Sequence, residues 1–293
     1  MKNMKSYSMK DNTNNFPTEK TRRIVMFCDL RDSTDIMLNF EQGIYHLPKG
    51  ADEKPFIYGD FLRHVHETSY EELYLKHQNT HSEIYGDGVM AILPDDNTKY
   101  IMENIYRRTT RMRNYNDSAG VGVFRPSIDI GFGITVGEVS FIYYSLDQRH
   151  HTVGPCIHEA ARIQGVSRFY DARVLISDCF LKFAESYINV DPRFSYRFID
   201  RVILKGFKEP IALFELLIDN DPRFEIKKKS VRDHSEAYSK YCRREWDGAK
   251  ELFQKIHRDY GLGIGSVMAR RCDILSNNPP ASDWNGIWRM EDK

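Results

Sequence analysis

The chain carries no net charge. Its 42 Lys and Arg balance 42 Asp and Glu over 293 residues, so no global field draws it to nucleic acid or to an anionic membrane, and anion binding must be local. It is also poor in cysteine. The five present (Cys28, Cys156, Cys179, Cys242, Cys272) are odd in number and show no CxxC spacing, which argues against a disulfide frame and a zinc site and makes a reducing cytoplasm the expected compartment. No apolar run approaches the roughly 20 residues needed to span a bilayer, and the polar first 20 residues have no signal-peptide core. A soluble protein without membrane or nucleic-acid partners is expected, with residues 1–20 as a disordered lead-in. The length suits one core of about 200 residues plus an appendage.

What is present is a pair of placed acids. Asp29 ends the apolar run Arg23-Ile24-Val25-Met26-Phe27-Cys28-Asp29-Leu30, and Asp87 sits between Gly86 and Gly88, with strand-like runs on either side. Two carboxylates at the ends of adjacent strands can hold a pair of divalent cations, as chemistry on a nucleoside triphosphate requires. An isolated strand-end Asp is more often a turn former or a helix cap.

From Arg22 to about Leu217, strand and helix patterns alternate. Ser33-Thr34-Asp35 suits a helix start, and Gly43 to Pro55 reads as a polar loop. Phe61, Leu62, Val65, Leu73 and Leu75 suggest a longer helix before the hairpin around Asp87, and a further helix is predicted over Thr98 to Tyr115. The Ile128/Ile130/Phe132/Ile134/Val136 alternation predicts a half-buried strand, as do Val174 to Ile176, Tyr196 to Leu204 and Ile211 to Leu217. Helices on one side of a mixed sheet give an α+β class. Glu103, Arg107, Arg108 and Arg111 read as a solvated helix face.

Phe27-Cys28-Asp29-Leu30 with Ser33-Thr34, Gly86-Asp87-Gly88 with Met90-Ala91, Gly131-Phe132-Gly133-Ile134 with Gly137-Glu138-Val139, Val153-Gly154 with Ala160-Ala161-Arg162, and Lys205-Gly206 before Pro210 together resemble the class III nucleotidyl cyclase catalytic domain. Each motif alone is weak, and the five come in the family's order. The resemblance covers roughly residues 21–220 and implies a ferredoxin-like domain that forms a head-to-tail homodimer with shared sites. It further implies that Asp29, Leu30 and Asp87 hold two Mg²⁺ or Mn²⁺ ions for attack of the ribose 3′-oxygen on the α-phosphorus. Arg162 from the other subunit would stabilise α-phosphate charge, and Lys205 would take the triphosphate tail. The amides after Asp29, at the start of the Ser33 helix, suit phosphate oxygens. Phe27, Glu83, His151 and His158 fall at substrate-contacting positions.

The departures from the family pattern concern the base and ribose. Glu83 stands where the resemblance expects Lys or Glu, His151 where it expects Asp, Thr or Cys, and His158, beside Glu159, where it expects the ribose-orienting Asn. A carboxylate accepts from a ring N–H and a histidine can donate to a ring carbonyl, so the fitting edge is keto-imino, shared by uracil and guanine. Two histidines make a tighter pocket, which favours uracil. With the catalytic motif beginning about 20 residues in, the chain resembles the stand-alone pyrimidine cyclases of bacterial Pycsar anti-phage systems, whose product activates a separate effector. The expectation is therefore a uridylate cyclase. Guanylate, adenylate or cytidylate cyclases, or a degenerate non-catalytic nucleotide-binding module supported by His158, are the alternatives.

Residues 221–293 differ in character. Lys227-Lys228-Lys229 reads as a solvated linker, and Ala237, Tyr241, Ala249, Leu252, Phe253, Ile256, Met268, Cys272 and Leu275 fall near helical spacing. This resembles a tetratricopeptide-like hairpin with a closing Pro-Pro…Asp-Trp segment. A single repeat cannot bury its own face and should pack on the core or a partner.

Overall fold

In the computed structural model of the chain, residues 20–45, 57–69, 80–95, 98–118, 125–144 and 149–291 are described. The expected lead-in therefore lies outside the described residues except for Lys20, as do Leu73, Leu75 and most of the polar loop after Gly43.

Among the described residues, a nine-stranded mixed sheet organises the fold. In spatial order it runs β2 (His81–Tyr85), β3 (Gly88–Pro94), β1 (Thr21–Leu30), β4 (Ile130–Tyr144), β6 (Val174–Ser177), β8 (Ile211–Ile218), β7 (Phe194–Ile203) and β9 (Trp288–Arg289), with β5 (Arg149–Val153) paired to the far half of β4. Pairing is antiparallel except for β4 with β6 and β7 with β9. β3 reads as one apolar run because it lies second from the edge and is buried along Gly88–Leu93. β1, between β3 and β4, alternates by face. Ile24, Met26, Cys28 and Leu30 enter one core, while Val25 joins another, against which Phe27 packs.

The first core lies under α1 (Ser33–Glu41), α2 (Tyr58–Ser69), α3 (Thr98–Asp117) and α5 (Asp178–Ile188). The opposite face of the sheet carries α4 (Pro155–Ser167). Gly133 on β4 gives this helix its close approach, since a Cβ there would stand 2.2 Å from the Gln164 amide and 2.4 Å from the Ala160 carbonyl.

Of the C-terminal helices α6 (Phe224–Lys229), α7 (Val231–Cys242), α8 (Trp246–Tyr260) and α9 (Gly263–Asn277), the last three share a core with α4, β6, β7 and β8, while α6 lies against β7 and β8. Helices thus cover both faces of the sheet, not one as the sequence pattern suggested. The α8 and α9 stripes of Phe253, Ile256, Met268 and Cys272 are buried against the sheet-bearing core.

Two charged segments also differ from expectation. Lys227 is 1 % exposed and pairs with Glu215 at 2.7 Å and Asp221 at 2.8 Å, so it is a buried cation and not part of a solvated linker. Arg108 is buried, donating to Asn104 Oδ1 at 2.6 Å, and Glu103 pairs with Arg193, so that face of α3 is only partly solvated. Both segments are charged in sequence, but Glu215 and Asp221 cover Lys227, and Arg193 and the helix-neighbour Asn104 cover part of the α3 face. Among the described residues, no helix is long and apolar enough to cross a membrane.

Candidate active site

Asp29 and Asp87 converge at the β2–β3 turn. β1 ends one residue beyond Asp29, and Asp32 takes a left-handed conformation (φ 57°) to turn the chain into α1. Arg31 pins this turn, its amide donating to the Asp129 carbonyl at 2.8 Å and its guanidinium to the Ala172 carbonyl at 2.6 Å. Gly86 (φ 61°) makes the hairpin turn that presents Asp87. The Asp29 Oδ1 lies 2.7 Å from the place a Gly88 Cβ would occupy, so the Asp29 carboxylate rests on the backbone beside Asp87.

Two residues of α2, not anticipated from sequence, face the acids. The Tyr58 phenol is pushed up by burial and then by the charges of Asp87 and Asp29. His66 is held down chiefly by burial, against hydrogen bonds to the backbone at Asp87 and Gly86.

The acid pair fits divalent cations. Two carboxylates on a glycine floor are hard oxygen donors, and the described residues contain no group of three or more His, Cys, Asp or Glu in ligating geometry. Phosphate and water oxygens would therefore complete the shell, as Mg²⁺ commonly requires. The Leu30 side chain is buried in the core, so its backbone carbonyl is what it can offer.

Glu83 stands on edge strand β2, on the sheet face shared with Met90, Ile92 and Phe141. Its Oε1 lies 2.6 Å from His81 Nε2, and its Oε2 accepts from the Tyr85 hydroxyl. The Tyr85 ring stacks with Phe27 at 6.4 Å, 19° from parallel, and the His81 ring meets Phe141 edge-on at 6.0 Å. Burial pushes the Glu83 carboxyl up, but the Tyr85 and His81 hydrogen bonds and the His81 and His151 charges bring it below its ordinary value. The structure thus gathers Phe27, Glu83 and His151. It adds His81 and Tyr85, which the period-2 alternation of β2 places on the Glu83 face.

Arg162 and His158 sit four residues apart on α4, His158 exposed and Arg162 half-buried, on one helical face. Glu159 turns inward and accepts from buried Thr135 Oγ1 at 2.5 Å; burial raises its carboxyl. Lys205 is exposed in the β7–β8 connection beside Gly206 (φ 87°). Among the described residues, no hydrogen bond or ion pair links Arg162, His158 or Lys205 to the acids or to Glu83.

No family model matches the chain. The chain is 24 % identical over 173 residues to a terminal-differentiation-specific adenylate cyclase of Dictyostelium discoideum, covering 58 % of this chain and 8 % of that protein. It is 26 % identical over 137 residues to an adenylate cyclase of Anabaena cylindrica, covering 45 % and 26 %. It spans well under a third of either curated relative. Among solved structures, a bacterial light-regulated adenylyl cyclase superposes with TM-score 0.52 at 13 % identity, over 71 % of this chain and 55 % of that one. The α+β mixed sheet is that of the class III cyclase fold. Both curated relatives are adenylate cyclases.

Proposed function

We propose that the chain is a nucleotidyl cyclase that converts a nucleoside triphosphate to its 3′,5′-cyclic nucleotide and pyrophosphate. The observation that carries this reading is the Asp29 carboxylate resting on Gly88 beside Asp87. Divalent ions held by Asp29, Asp87 and the Leu30 carbonyl would lower the pKa of the ribose 3′-hydroxyl and neutralise the triphosphate. The protein's part is positioning and charge. Arg162 stabilises charge developing on the α-phosphate, Lys205 binds the tail, and the α1 amides, which receive no side-chain cap, face phosphate oxygens. The same reading takes these groups from two subunits, in a homodimer with shared sites, as the family resemblance implies.

The favoured substrate is UTP. Each Glu83 oxygen already accepts one hydrogen bond, so uracil's single ring N–H fits with less crowding than guanine's two adjacent donors, and His151 would donate to a carbonyl. The product, cyclic UMP, would signal to a separate cyclic-nucleotide-activated effector, as in the Pycsar systems that the sequence resembles.

The test is to incubate the purified protein with ATP, GTP, CTP and UTP in turn with Mn²⁺ and resolve products by mass. UTP is expected to exceed GTP in kcat/KM by at least about tenfold, or roughly 1.4 kcal/mol. Faster formation of cyclic GMP or cyclic AMP would overturn the base assignment and leave the cyclase standing. No cyclic product from any nucleotide would overturn the cyclase.

A further inference from the structure

The face of β2 that carries Glu83 is built as a row. His81, Glu83 and Tyr85 occupy alternate positions and point the same way. The row is braced at both ends, Tyr85 by its stack on Phe27 and His81 by its edge contact with Phe141. His81 and Glu83 side chains are 15 % and 29 % exposed, so the middle of the row is partly withdrawn from water. An ionised carboxylate can only accept, so His81 Nε2 and the Tyr85 hydroxyl both donate to it, one to each oxygen.

A glutamate on an edge strand ordinarily turns about three side-chain torsions and can swing away from a ligand. Here both oxygens are tied to side chains of the same strand, which are themselves fixed by rings on β1 and β4. The ordering cost that a ligand would otherwise meet is already met in the fold. Holding the carboxylate ionised matters as much as holding it still, because a protonated acid could donate to the ring nitrogen of adenine or cytosine. Two donors on the carboxylate keep it an acceptor.

Building on the cyclase reading, we propose that His81 and Tyr85 are specificity-positioning residues, which clamp Glu83 as an oriented acceptor and so select nucleotides whose base presents a ring N–H over those that present a bare ring nitrogen. They act through Glu83. Neither need touch the base, and the acid pair at Asp29 and Asp87 is not involved.

The experiment measures binding apart from turnover, so that failure of the cyclase reading does not decide it. Non-cyclisable 3′-deoxy analogues of UTP, GTP, ATP and CTP are titrated calorimetrically into the full chain with Ca²⁺. Wild type, Tyr85→Phe, His81→Leu and His81→Gln are compared. Tyr85→Phe deletes the hydroxyl and keeps the ring on Phe27. His81→Gln keeps a donor near the Nε2 position, whereas His81→Leu removes it.

Wild type is expected to prefer the uracil and guanine analogues over the adenine and cytosine ones by at least about tenfold. That preference should fall about tenfold in Tyr85→Phe and His81→Leu and recover in His81→Gln, with unchanged thermal unfolding midpoints. A structural role alone would weaken all four analogues together. Equal binding of all four by wild type, or a preference unchanged within about twofold in both Tyr85→Phe and His81→Leu, would overturn the clamp. If the clamp holds while wild type cyclises no nucleotide, the catalytic reading fails by itself.

Discussion

Asp29 and Gly88 are fitted to one another: the carboxylate oxygen stands 2.7 Å from where a Gly88 Cβ would be, and the Cys28 carbonyl stands 3.2 Å away. Neither neighbour is the loose end of a long side chain. A methyl group at position 88 would displace the Asp29 carboxylate or the β1–β3 pairing. Gly88→Ala is therefore expected to lower kcat/KM at least about 100-fold, as sub-ångström to 1 Å misplacement does, while costing about 1–3 kcal/mol of stability. Parallel cyclase assays and urea titrations check this. An alanine variant with full activity would show that the acid is not held where the site needs it.

Removing either acid tests the pair directly. Asp29→Ala and Asp87→Ala should each abolish cyclisation, about equally, without loss of fold, because relief of like-charge repulsion between the two acids offsets the contacts that each carboxylate gives up. Assays at saturating Mn²⁺ with circular dichroism on the same samples are the measurement. More than a few per cent of residual activity in either variant contradicts the two-metal assignment.

Strand alternation and glycine placement made much of the fold legible, since β1, β3 and β4 carry their face preference in residues such as Ile24, Met26 and Ile134. The acid pair was legible for the same reason, as each acid interrupts an apolar run. Lys227 was not, because its burial depends on Glu215 and Asp221 folding onto it, and Arg108 was not, because the bond to Asn104 one turn back on the same helix looks no different in sequence from a solvated pair. β9 is two residues long, below any periodicity. His81 and Tyr85 share the Glu83 face by the period-2 rule, but the rings that brace them, Phe141 and Phe27, come from other strands and leave no local mark. Tyr58 and His66 approach the acids from α2, which local pattern does not encode.

If the site is shared between subunits, two dead proteins should make a live one. Asp29→Ala supplies an intact Arg162, and Arg162→Ala supplies an intact acid pair. Mixed and allowed to exchange, they should recover up to about one quarter of wild-type activity, since half of the dimers are mixed and each mixed dimer owns one complete site. A mixture that stays inactive after demonstrated exchange contradicts the head-to-tail arrangement.

The C-terminal helices are held by charge as well as by apolar contact. Arg271 on α9 pairs with Asp200 on β7, the Tyr170 hydroxyl donates to Asp200 at 2.7 Å and receives Arg271 Nη2 at 2.8 Å, and all three side chains are buried. Arg271→Met leaves Asp200 buried without its cation and should cost about 3–5 kcal/mol. Adding Asp200→Leu should restore more than half of that, which urea midpoints over the double-mutant cycle would read. Additive losses would show that the two do not act as a pair.

Buried His234 should make the fold acid-sensitive. Burial, and then the charge of Arg197, push its pKa down to about 4, and its Nε2 lies 3.1 Å from the Ile199 carbonyl, to which it donates. Phe198, Tyr238 and Phe253 enclose the ring without offering a carboxylate. With the folded pKa below the unfolded value of about 6.5, the unfolded chain binds the proton first as pH falls. Stability from this group is fully present above about pH 6.5 and declines through the window down to pH 4. The shift of about 2.5 units corresponds to about 3 kcal/mol at the bottom of that window. Urea unfolding of wild type and His234→Gln from pH 7.5 to 4.5 measures it. The wild-type midpoint should fall more steeply below pH 6.5 than that of the glutamine variant, which lacks a titrating group there. Parallel curves would mean that His234 is not the acid-sensitive group.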